Sequence, residues 1–116
     1  MDEHWLCALF SAIDSRDGSL FASFLAQDAE LQFGNAPLVQ GRQAIQEVVT
    51  SFLASIKSLN HTPKASWNIQ DTVIVHGTVT YVRKDDSSLS VPFCNVLTLC
   101  DGQITNYRIF VDLSAL

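Results

Sequence analysis

Apolar residues recur every three or four positions through the first half of the chain and every second position through most of the rest. Leu6, Leu9, Phe10 and Ile13 make one helical stripe, which predicts a helix over residues 2–14. Ser15-Arg16-Asp17-Gly18 interrupts it, and Asp17 is placed to cap a second helix reaching Leu25, with Leu20, Phe21, Phe24 and Leu25 inward. A turn at Asp28-Ala29 leads into a short strand over 30–33, and Gly34-Asn35-Ala36-Pro37 is loop chemistry. Ile45, Val48, Val49, Phe52, Leu53, Ile56 and Leu59 form a wide stripe on a third helix expected over 42–59.

From His61 onward the period is two. Strands are predicted over 64–70, 72–83, 88–100 and 103–113, joined at Gln70-Asp71, Lys84-Asp85-Asp86-Ser87 and Asp101-Gly102. The last pair, between apolar runs, is a two-residue hairpin signal. Helices first and an antiparallel sheet after them describe an α+β domain. The length of 116 residues allows one domain, 1–116. Between 91 and 99 the chain is apolar at nearly every position except Asn95 and Thr98, so both faces of that strand are expected to be covered. Helices can cover one face. The other is expected to meet a second copy in a two-fold dimer, the alternative being a monomer with an open apolar face.

Charged residues are only 16% of the chain, which fits surface buried against a partner. The net charge of −5 and the absence of a basic stripe argue against a nucleic-acid partner. No run of eighteen apolar residues occurs, so no membrane span is expected. Met1-Asp2-Glu3-His4 lacks the basic start of a secretory signal, and three cysteines suit a reducing compartment; a cytoplasmic protein is expected. Cys94 and Cys100 share one predicted strand and stand roughly 20 Å apart, too far to bridge. There is no Cys-x-x-Cys pair, phosphate loop or Ser-His-Asp order, so no metal or organic cofactor is expected.

Several segments together resemble the nuclear transport factor 2-like superfamily, and within it the SnoaL-like branch. They are Ala12-Ile13-Asp14 with Asp17, Phe24-Leu25-Ala26-Gln27-Asp28-Ala29, Gly41-Arg42 with Ala44-Ile45, Asp101-Gly102-Gln103-Ile104 and Tyr107-Arg108-Ile109-Phe110-Val111-Asp112. The resemblance covers almost the whole chain. It implies a cone-shaped fold, three N-terminal helices packed on a curled, mostly antiparallel sheet (a cystatin-like α+β barrel), with a cavity between them. Ketosteroid isomerases, limonene-epoxide hydrolases and polyketide cyclases share that branch. By the resemblance, the aspartate base of ketosteroid isomerases falls at Phe33, their helical tyrosine at Leu9 or Phe10, and their second oxyanion donor at Asn95. The second aspartate of the epoxide hydrolases falls at Ile109, and their Arg-x-Asp segment near Thr78-Val79-Thr80. Those catalytic sets are therefore largely replaced.

The candidate residues each carry two readings. Asp112 shares a face with Arg108 and Phe110; it is either an acid/base carboxylate or half of a structural Arg–Asp pair. His61, just after the predicted third helix, is either a base near neutral pH or a favourable residue at the helix end. Asn35 either points into the cavity mouth or serves the turn. Asn95, a lone amide in an apolar strand, must find a partner, whether a ligand oxygen, Tyr81, Tyr107 or water. Phe33, Trp67 and Tyr107 are candidate ligand-binding residues, the aromatics being either cavity wall or plain core. Two functions follow. One is a cofactor-independent isomerase, cyclase or hydratase/dehydratase acting on a small apolar carbonyl-bearing molecule. The other is a non-catalytic ligand-binding or dimerisation module.

Overall fold

The computed structural model describes residues 3–116, so the start of the predicted first helix at Asp2 lies outside the described residues. The elements run α1 (Glu3–Asp14), α2 (Gly18–Ala22), β1 (Leu25–Phe33), β2 (Val39–Gln40), α3 (Arg42–Ala54), β3 (Ser58–Ile69), β4 (Thr72–Val82), β5 (Ser88–Cys100) and β6 (Gln103–Val111). The strands form one open sheet in the order β2-β1-β6-β5-β4-β3. Its pairs are antiparallel except β1 with β6, which is parallel. The expected α+β architecture, helices packed on a mostly antiparallel sheet, is the one observed.

Local chemistry accounts for the boundaries. Asp17 caps α2 as expected, accepting from the Leu20 N–H at 3.0 Å. The helix nevertheless ends at Ala22, because Phe24 and Leu25 are drawn into the sheet: the Ile104 N–H donates to the Phe24 carbonyl at 2.8 Å. Asp101 and Gly102 both take positive φ, 52° and 77°, as a tight hairpin between β5 and β6 requires.

The largest departure from the expected elements lies after α3. Helix was expected through Leu59, but α3 stops at Ala54. The Ser55 N–H and hydroxyl both turn back to the Phe52 carbonyl, and the Lys57 N–H then donates to Val82 of β4. Leu59, Asn60 and His61 pair with Tyr81, Thr80 and Val79, so a strand register overrides the helical spacing of Leu59. Asn60 and His61 are therefore strand residues, not a helix terminus.

The core lies between the helices and one face of the sheet, around Leu9, Leu25, Leu31, Ile45, Val75, Leu97 and Ile104, all essentially inaccessible. Each such side chain contributes about 1.5–3 kcal/mol by leaving water. β3 carries a bulge between Pro63 and Ala65 opposite Gly77. Before it, Leu59 and His61 face the helices. After it, Trp67 stacks on His76 of the outer face with ring centroids 5.7 Å apart. No helix among the described residues is long and apolar enough to cross a membrane.

Candidate functional site

A partly open cavity of about 40 Å³ lies where α1, α2 and α3 meet the inner face of the sheet. Most of its wall is apolar, and four side chains bring polar atoms to it: His61, Tyr81, Asn95 and Tyr107. Phe33 and Phe52, half-buried and 5.0 Å apart between centroids, form its more accessible wall. The space admits a few water-sized groups, and Phe21, Phe33, Phe52, Tyr81 and Tyr107 line it.

His61 is held by the last residue of α1. One Asp14 oxygen accepts from the His61 backbone N–H at 3.0 Å. The other lies 2.6 Å from Nδ1 of the ring. Phe10 stacks on the imidazole at 4.6 Å and Phe93 meets it edge-on at 5.2 Å, so the ring is locked by packing as well as by the carboxylate. With Nδ1–H donated to Asp14, the neutral ring carries its lone pair on Nε2. The carboxylate thus fixes the tautomer and the orientation of the imidazole.

Asn95 sits at the centre of the sheet, between Val75 on β4 and Ile109 on β6, and is 2% exposed. Its carboxamide lies beside the Tyr107 phenol and acts on it as a donor. Its Oδ1 has no protein partner, so the Nδ2 end is the one turned to the phenol oxygen. Burial pushes the Tyr107 phenol well above its ordinary range, against a smaller opposing pull from Asn95 and with a further push from the Asp14 carboxylate. Burial, then Asp14, likewise pushes Tyr81 up to about 12. Both phenols thus remain neutral donors.

The other candidates fall elsewhere. Phe33 lines the cavity. Asn35 is exposed in the turn after β1 and shares a separate open cleft with Phe33 and Asp112, about 700 Å³ in volume. Asp112 is exposed, and hydrogen bonds from Ser114 hold its carboxyl below the usual range. Arg108 lies over the Phe110 ring at 5.2 Å, and no ion pair joins it to Asp112 among the described residues. Trp67 is on the outer face, half exposed. The structure therefore gathers His61, Asn95, Tyr107 and Phe33, and leaves Asp112, Asn35 and Trp67 outside the cavity. Asp14 and Tyr81 were not singled out as site residues. Asp14 is 47 positions from His61, so only the fold joins them. A carboxylate at a helix C-terminus, where the helix dipole opposes it, was the available signal.

Three helices over a mixed six-stranded sheet, with polar groups converging in the hollow between, define the ketosteroid isomerase-like α+β class. The chain belongs to the SnoaL-like domain family, whose pattern matches residues 7–107. Solved structures share the fold. A ketosteroid isomerase-like protein from Catenulispora acidiphila, in complex with trimethylamine, superposes with a TM-score of 0.89 at 17% identity, covering 98% of this chain and 89% of that one. A protein assigned as a SnoaL-like polyketide cyclase from Jannaschia gives 0.83 at 20% identity, covering 97% and 85%. An epoxide hydrolase of the limonene-epoxide hydrolase type from M. tuberculosis gives 0.82 at 14% identity, covering 95% and 81%. No curated protein matches the chain.

Proposed function

We propose that this protein binds a small apolar, carbonyl-bearing molecule in the cavity and moves a proton on it without a cofactor, in an isomerisation, cyclisation or hydration/dehydration. The observation that carries the reading is His61 in the wall of an apolar cavity, joined to Asp14 behind it at 2.6 Å. His61 Nε2 takes the proton from a carbon beside the carbonyl. Tyr81, a neutral phenol on the same wall, donates its O–H hydrogen bond to the oxygen on which charge develops. The imidazolium, steadied by Asp14, then returns the proton to the product. The polyketide cyclase and epoxide hydrolase assignments of two fold neighbours are compatible with small-molecule chemistry of this kind. The cavity is small, so this reading requires Phe33 and Phe52, on its more accessible side, to move on binding.

Deuterium exchange tests this. The α-hydrogens of 1-indanone in heavy water, followed by proton NMR, exchange faster with the protein than with buffer. His61→Gln lowers the protein-dependent rate by about a hundredfold or more. Exchange at the buffer rate, or a loss with Asp112→Asn while His61→Gln remains active, overturns the assignment.

The second reading, a non-catalytic binding or dimerisation module, is favoured by Phe33 and Ile109, which stand on the cavity wall where active relatives carry carboxylates. Binding without exchange would select it. Under either reading the protein acts as a cytoplasmic homodimer joined through the outer sheet face. The exposed Trp67, Ile69 and Phe110 support the interface, and the free thiols of Cys7, Cys94 and Cys100 support the compartment.

A further inference from the structure

One atom in the cavity wall lacks the partner its burial demands. Asn95 is 2% exposed and lies in a central strand, yet its Oδ1 accepts from no protein group. A buried carboxamide oxygen without a donor is costly, and almost all such groups in folded proteins are satisfied. The Nδ2 end of the amide is the one turned to the Tyr107 phenol, on which it exerts a donor's pull. A donor turned to the Tyr107 oxygen leaves the phenol's own hydrogen free to turn toward the cavity. Oδ1 and the Tyr107 hydroxyl therefore form a neighbouring acceptor and donor on one wall. A ketone oxygen can use only the donor, and beside Oδ1 it meets a second lone pair. A hydroxyl uses both, giving its hydrogen to Oδ1 and accepting from Tyr107.

We propose that the ligand presents a hydroxyl hydrogen to Asn95 Oδ1, so that the pocket selects a hydroxylated apolar molecule over the matching ketone or hydrocarbon. The inference rests on the reading that the cavity takes a ligand, but not on turnover. It reverses the role expected for Asn95, from donor to acceptor, and implies that a carbonyl in the ligand is accompanied by a hydroxyl.

Calorimetric titration with 1-indanol, 1-indanone and indane, which share one carbon skeleton, tests it on the wild-type protein. The expected result is that 1-indanol binds about 10–100-fold more tightly than either of the others, the effect of one buried acceptor left unpaired. In Asn95→Leu the preference collapses to about onefold while indane binding is kept. If that variant lacks a cooperative thermal transition, Tyr107→Phe serves instead: freed from the phenol, the amide turns either end to the ligand and the discrimination falls. Equal binding of all three, or tighter binding of 1-indanone, overturns the hydroxyl inference and leaves the pocket reading standing. Binding of none of them overturns both.

Discussion

A carboxylate at the last position of α1 is opposed by the helix dipole, and Asp14 remains there because His61 supplies it with a backbone and a ring donor. The same charge acts on the two buried phenols, adding to the desolvation that raises them. The sign of the consequence is fixed. The unfolded chain loses its tyrosine protons near pH 10, whereas folded Tyr81 keeps its proton to about pH 12. Above pH 10 the unfolded state therefore holds fewer protons, and the stability gained from the neutral phenol is present below pH 10 and lost as pH climbs toward 12. Urea midpoints measured from pH 8 to 12 are expected to fall over that window, and to fall less steeply in Tyr81→Phe. Identical slopes in the two proteins would refute the assignment.

At the scale of elements, the bulge in β3 decides which side chains reach the cavity. A Cβ on Gly77 would lie 2.2 Å from the Thr62 carbonyl oxygen and 2.7 Å from Pro63 Cα, so β4 admits the bulge only through a residue without a side chain. Both atoms are backbone and cannot rotate away. Gly77→Ala is expected to cost about 3 kcal/mol by overpacking, read as a lowered urea midpoint, with the register of Leu59 and His61 disturbed. An unchanged midpoint would show that β3 moves freely. The early end of α3 belongs to the same scale: pairing with β4 begins at Ser58, and that pairing is what carries His61 back to Asp14.

For the whole molecule, the outer face of the sheet matters most. Trp67, Ile69 and Phe110 are 50%, 59% and 48% exposed there, alongside Arg108 stacked on Phe110. A chain with only 16% charged residues has little polar surface to offset such a face. Sedimentation at tens of micromolar is expected to give a species of twice the chain mass. Phe110→Asp, which would place like charges at a two-fold seam, is expected to give monomer with an unchanged circular-dichroism spectrum. A wild-type monomer at that concentration would contradict the dimer.

The sequence by itself determined the class of fold, because periodicity registers which face of each element is buried. The α2 cap at Asp17, the Asp101-Gly102 hairpin and the span of β5 are local effects and were legible. Asn95 was marked as a site residue by its contrast with apolar neighbours. The short β2 was not foreseen, because two residues hold no period. The start of β3 was misread, because Leu59 suits a helical stripe and a strand equally well and only pairing with Tyr81 chooses between them. The site was decided by tertiary structure. Its main pair spans 47 positions, its cavity is lined by aromatics from separate elements, and Asn95 and Tyr107 are brought to it by different strands. No local pattern encodes these contacts, since each follows from where the sheet register and helix packing bring distant side chains together.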